Sequence, residues 1–163
     1  MILYSKNKED VSTYIKEYRW HRLKGAIIVA SIVSVFNLWC LVWGLVYQDD
    51  ETINKGVYEV IIFSLLAWAF IIYCCIKIKK NFIYEFNRNA ISGEIQYELT
   101  YNEELYVIKN LNRNLILDFK KSEIKKVHFL KHIIIVDLKT GVSILFPRIS
   151  EIEHLFEEYK IKK

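Results

Sequence analysis

Gly25-Ala-Ile-Ile-Val-Ala-Ser-Ile-Val-Ser-Val-Phe-Asn-Leu-Trp-Cys-Leu-Val-Trp-Gly-Leu-Val-Tyr47 contains no charged residue. Val57-Tyr-Glu-Val-Ile-Ile-Phe-Ser-Leu-Leu-Ala-Trp-Ala-Phe-Ile-Ile-Tyr-Cys-Cys-Ile76 contains only Glu59. At 23 and 20 residues, both runs reach the roughly 20 apolar residues a helix needs to cross about 30 Å of hydrocarbon. Their reading decides the fold class: a transmembrane helical hairpin, 25–47 and 57–76, joined by an extracytoplasmic loop at 48–56. A chain of 163 residues leaves material for one small module outside the membrane. Hydrophobic residues make up 53% and charged residues 26%, which fits only if the two classes are segregated along the chain.

Working outward, the flanks set orientation. Six basic residues precede the first span (Lys6, Lys8, Lys16, Arg19, Arg22, Lys24), one lies in the loop (Lys55), and four follow the second span closely (Lys77, Lys79, Lys80, Arg88). Basic residues flanking spans stay inside, so both termini are expected in the cytoplasm of a cell whose plasma membrane the chain crosses twice. Twenty-four mostly polar residues precede the first run, which is too long for a signal-peptide core, so the first helix is expected to stay attached. Cys40, Cys74 and Cys75 all lie inside the runs and read as small hydrophobes, neither a disulfide framework nor a zinc set.

Depth counting in an antiparallel hairpin places Asn37 opposite Ser64 and Ser34 opposite Ala67. Ala26, Ala30 and Ser34 form a stripe of small residues that allows close helix approach.

In segment 1–24, a short apolar stub at Ile2 to Tyr4 can add an edge strand. Asn7 with Glu9 and Asp10 then reads as a helix start, and Val11, Tyr14, Ile15 and Tyr18 give one apolar stripe. After the second span, 77–92 extends the helix until Ser92-Gly93 breaks it. From there the period becomes two: Ile95, Tyr97, Leu99 and Tyr101 alternate with polar residues. Strand-like runs follow at Leu105–Lys109, Leu115–Phe119, Ile124–Leu130, Ile133–Leu138 and Val142–Phe146, with separators short enough for one six-stranded antiparallel meander. Ser150-Glu-Ile-Glu153 matches a capping box, and Ile149, Ile152, Leu155, Phe156 and Tyr159 make the apolar face of a closing helix. The expected class is therefore an α+β membrane protein, a hairpin followed by an antiparallel sheet domain at 93–163.

The order of stub, charged helix, hairpin, sheet and final helix resembles the YcxB-like family of bacterial membrane proteins. The residues that carry the resemblance are Ser92-Gly-Glu-Ile-Gln-Tyr-Glu-Leu-Thr100 after the membrane and Ile144-Leu-Phe-Pro-Arg148 before the last helix. It implies a PH-like cytoplasmic domain and assigns no molecular activity. Where many members place a Trp before the middle strand, this chain reads Lys121-Ser-Glu-Ile124, and no functional residue transfers through that position.

No phosphate-binding loop, zinc-protease helix or nucleophile elbow occurs, so no catalytic residue, metal or cofactor is expected. His128 and His132 read as strand and turn residues, and Asp118 and Asp137 would pair only if adjacent strands brought them together. Lys120, Lys121, Lys125, Lys126 and Lys131, with Glu123 among them, form the candidate contact with an anionic inner leaflet. From Asn81 onward 13 basic residues meet 12 acidic ones, which argues against nucleic acid. The expected function is a non-enzymatic membrane protein presenting an interaction domain at the cytoplasmic face. Its partners would be membrane lipids or an unidentified protein, a homo-oligomer is compatible, and bacteriocin or toxin immunity and envelope regulation are roles that suit it. The alternative is an accessory subunit of a transporter or a small oligomeric pore, against which the spans offer no ionisable relay.

Overall fold

The computed structural model describes residues 1–47 and 51–160, with side chains described for 1–43 and 58–160. It is an α+β chain of two compact units, Met1–Glu17 with Asn81–Lys163, and Tyr18–Lys80.

Among the described residues, all the strands belong to the first unit. β1 (Ile2–Asn7), β2 (Glu94–Tyr101), β3 (Leu105–Asn110) and β4 (Leu115–Lys120) form one antiparallel sheet in sequence order. β5 (Ile124–Phe129), β6 (Ile133–Leu138) and β7 (Ser143–Pro147) form a second. This corrects the single six-stranded meander expected from the sequence. The Glu123 carboxylate accepts the Lys120 backbone N–H at 2.7 Å, and Lys121–Glu123 coil into a 3-10 turn that ends the first sheet before β5 begins. The stub is a full edge strand, with Ile2 opposite Leu99 and Asn7 opposite Glu94.

Both sheets and α3 (Ser150–Leu155) contribute to one core, in which Leu99, Ile134, Val136, Phe146, Ile152 and Phe156 are completely buried. Aromatic rings link its parts. Tyr4 stacks on Tyr97 at 5.1 Å and tilts against Phe146 of the other sheet at 6.2 Å, and Tyr106 stacks on Phe119 at 5.0 Å and on Phe156 at 5.4 Å. The expected capping box at Ser150 is not formed. Ile149 occupies the cap position without a side-chain bond, and Glu153 is bonded instead to Arg148 and Lys160, whose charge-assisted bonds outcompete a neutral amide.

Two long helices complete the chain, α1 (Lys8–Tyr47) and α2 (Glu51–Asn89). The start of α1 is a reciprocal cap: Asn7 Oδ1 accepts the N–H groups of Glu9 and Asp10, both at 2.9 Å, while Asp10 accepts the Asn7 N–H at 3.0 Å. In the first unit Val11 and Ile15 of α1 pack with Phe86 of α2 and Ile95 of β2, so the stripe read from the sequence faces the sheet domain. α2 ends at Asn89, and Ser92 (φ 53°) and Gly93 (φ 82°) then turn the chain through the left-handed region into β2.

The second unit is the helical pair itself. α2 begins at Glu51, so 51–56 of the expected loop is helical, and 48–50 lies outside the described residues. Lys8–Trp43 and Tyr58–Asn89 are each long and apolar enough to cross a membrane, and their most apolar windows are only 11% and 6% buried within the chain. Phe36, Trp39, Phe63, Leu65 and Phe70 all point outward, an apolar surface far larger than a monomeric water-soluble protein leaves open.

Candidate functional site

The helical pair is held by a short polar stripe. Asn37 Nδ2 donates to Ser64 Oγ and, at 3.1 Å, to the Val60 carbonyl, and Asn37 and Ser64 are both buried. The Trp68 indole N–H donates to Ser34 Oγ at 2.9 Å, and Ser34 in turn donates to the Ala30 carbonyl at 2.8 Å. Ala30 is buried and Ala26 and Ala67 are exposed, and the residue of α2 that bonds Ser34 is Trp68, next to Ala67. One residue along α2 turns a side chain by about 100°, enough to bring Trp68 round in place of Ala67. Interhelical bonds of this kind are worth about 0.6 kcal/mol on average.

The five candidate lysines are spread from the end of β4, through the 3-10 turn and β5, to the turn before β6. Lys120 and Lys121 stand at the end of β4 that adjoins the β2–β3 turn, where the Lys121 N–H donates to the Glu104 carbonyl at 2.7 Å. Lys121 Nζ is also 2.8 Å from Glu158, which holds its pKa above the ordinary value. Lys125 and Lys126 are both exposed because a bulge between Ile124 and Lys126 breaks the alternation of β5. Lys131 lies beyond the other end of β5, roughly 20 Å away at about 3.3 Å per residue, in the turn to β6.

That turn is bonded to α1 and to the end of β7. Both Glu17 carboxylate oxygens accept the His132 backbone N–H at 3.1 Å, and His132 Nδ1 lies 3.3 Å from Glu17 Oε1. Arg148 donates from its backbone to the His132 carbonyl at 2.9 Å and from Nη1 to the Leu130 carbonyl at 2.7 Å. Its guanidinium also grips Glu153 with two bonds, at 3.0 and 2.9 Å. Arg148 and Lys160 together hold the Glu153 carboxyl down to about 2. One salt-linked line thus joins the last domain turn of α1, the β5–β6 turn, the end of β7 and α3. Sequence reading singled out His132 but missed Glu17 and Arg148 as its partners, because 115 residues separate Glu17 from the turn it caps.

Lys6 was also missed. It shares the inward parity of Ile2 and Tyr4 on β1, the one signal that marked it. Its Nζ donates to the Leu145 carbonyl of β7 at 2.8 Å and lies 4.9 Å from the Tyr97 ring centroid, joining the edge of one sheet to the other. The residue as a whole keeps some exposure, but its ammonium is enclosed. That burial lowers its pKa to about 8 against the opposing pull of Glu85 and Asp10. Burial pushes the phenols of Tyr14, Tyr97 and Tyr106 up to about 12. Between pH 8 and 10.5 the unfolded chain holds the Lys6 proton more tightly than the folded one, so stability rises with pH across that window. From about pH 10 to 12 the unfolded phenols release protons that the folded ones retain, so stability falls. The thermal midpoint of the full chain in micelles is therefore expected to peak at about pH 9–10, and Lys6→Met to abolish the rising limb alone.

Elsewhere, Ser143 Oγ donates to Asp137 at 2.7 Å, and His128 Nε2 lies 3.3 Å from the same carboxylate. Asp118 lies in the other sheet from Asp137, and the structure does not pair them. Among the described residues no three His, Cys, Asp or Glu side chains are grouped to hold a metal. A cleft of about 560 Å³ lies between the β2–β3 turn and α3, lined by Tyr101, Tyr106, Lys121, His154 and Glu158 among others. Comparison with family models, with curated proteins and with solved structures returned no match to this chain.

Proposed function

We propose that the chain is a non-enzymatic, hairpin-anchored protein of the plasma membrane. It displays a PH-like interaction domain of the YcxB-like kind at the cytoplasmic face, for a protein partner. The observation that carries this reading is the pairing of β1 with β2. One strand precedes both membrane-length helices and the other follows them, which supports a reading with both on one side of the membrane and an even number of crossings. The distribution of basic residues makes that side the cytoplasm. A four-stranded sheet, a three-stranded sheet and a C-terminal helix, in that order, support the PH-like reading, with the hairpin inserted into the first connection. A protein ligand is favoured over lipid headgroups because the lysines are dispersed and Lys121 is already bridged to Glu158.

The test uses the full chain in nanodiscs of phosphatidylcholine or phosphatidylglycerol, with an amine-reactive reagent reading Lys125, Lys126 and Lys131. Equal modification in the two lipids is the expected result. Protection confined to the anionic discs would replace the protein partner by the membrane surface. In intact cells, an impermeant thiol reagent is expected to spare Leu3→Cys and Lys125→Cys until the membrane is permeabilised, and labelling of either beforehand would reverse the orientation.

A further inference from the structure

β4 is the open edge of the first sheet, since β5 pairs only within the second. β1, at the opposite edge, is tied to β7 by the Lys6–Leu145 bond. Along β4 three consecutive aliphatic residues are uncovered, Leu115, Ile116 and Leu117, at 52%, 64% and 45% exposure. Leu111 and Ile91 add to them at the same end of the sheet, where Asn112 of the β3–β4 turn donates to the Glu94 carbonyl at 2.7 Å. A strand with both faces apolar and its edge unpaired is the arrangement soluble domains usually blunt with charge, proline or a bulge. Hydrocarbon does not complete it, because lipid tails supply no partner for the open N–H and C=O groups. A second strand satisfies both the side chains and the backbone.

We infer that this edge pairs with β4 of a second copy of the chain, antiparallel about a two-fold axis through Ile116. Directly opposed residues of an antiparallel ladder share a face, so only registers that keep odd with odd and even with even are allowed. Centred on Ile116, Leu115 of each copy meets Leu117 of the other, Ile116 meets itself, and Asp118 meets Asn114. Centred on Asp118, two carboxylates would face each other, and centred on Leu117, each Asp118 would be pressed against Ile116. The register through Ile116 alone sets the aliphatic triplet against itself. Five side chains per copy fall short of the roughly 800 Å² per partner of a stable free interface, so the pairing is weak in dilute solution. It is sustained where the hairpin holds both copies in one membrane and raises their effective concentration.

Antiparallel neighbours stand about 4.5–5.5 Å apart at Cα, within the span a disulfide bridges. In the full chain with Cys40, Cys74 and Cys75 replaced by alanine, mild oxidation in native membranes is expected to give a disulfide dimer for Ile116→Cys. Co-expressed Leu115→Cys and Leu117→Cys chains are expected to give the same product, and Leu3→Cys to stay monomeric. Adding Ile116→Lys to the co-expressed pair should remove the dimer while leaving the thermal midpoint unchanged, since the side chain is exposed. Dimer from Ile116→Cys no greater than from Leu3→Cys would overturn the inference, and so would capture of a different protein in its place.

Discussion

Tyr4→Ala is expected to destabilise the sheet domain by about 3–5 kcal/mol, the range for deleting a buried aromatic ring, and so to remove a large part of the 5–15 kcal/mol that a domain of this size holds. Tyr4 belongs to β1, yet its ring packs on Tyr97 of β2 and against Phe146 of β7, so its loss opens a cavity where the two sheets meet. Its neighbour Leu3 points outward, and Leu3→Ala should stay within about 0.5 kcal/mol. Tyr4→Phe keeps the ring and separates packing from the phenol. Pulse proteolysis of the full chain in micelles, followed at cleavage sites after Glu94, reads the effect. A Tyr4→Ala chain that resists proteolysis as its parent does would show β1 to be an ornament on an otherwise complete domain. The same packing implies an order of events, because the partner of Asn7 is Glu94 and the first sheet is completed only once both long helices have been made.

How far this architecture could be read in advance depended on how local each cause was. The two spans, the N-cap at Asn7, the break at Ser92-Gly93 and the approximate strand limits are written in runs, periods and turn residues within a few positions of each other. Counting depth from the ends of the spans set Asn37 opposite Ser64, and the two are bonded in the structure. The same count missed Trp68, because it fixes height along a helix but not the direction in which a side chain leaves it. Long-range partners left no such trace. The first sheet ends at a 3-10 turn in which Glu123 accepts the Lys120 N–H, a turn that Lys-Lys-Ser-Glu does not announce. The capping box at Ser150 was a sound local pattern that lost to Arg148 and Lys160, whose places are set by β7 and by the turn after α3. The lysines read as one cluster because they are close in sequence, but they divide among the end of β4, the 3-10 turn, β5 and the turn after it.

Phe156→Ala is expected to cost about 3–5 kcal/mol and to act first on the C-terminal end of the chain. α3 spans only six residues, far below the length at which a helix persists alone in water, so contacts with the sheets must hold it in place. Two kinds of contact compete for that role. Electrostatically, Glu153 takes bonds from Arg148 and Lys160, but these lie at the surface, where solvent screening and the ordering of long side chains offset most of an ion pair's attraction. By packing, Phe156 is fully buried and meets Tyr106 and Phe146, each at 5.4 Å, with Ile152 fully buried one turn earlier. More free energy therefore resides in the ring than in the charges. Hydrogen exchange should show amides from Ile152 to Tyr159 losing protection in Phe156→Ala well before β6 does, whereas Glu153→Gln should leave both near the parent. The charges contribute in a pH-dependent way: with the Glu153 carboxyl held near 2, their share is present above the ordinary carboxylate value and fades as pH falls through about 4 toward 2. If Glu153→Gln released the helix and Phe156→Ala did not, the end of the domain would be held by its ion pairs, and acid alone would be enough to detach it.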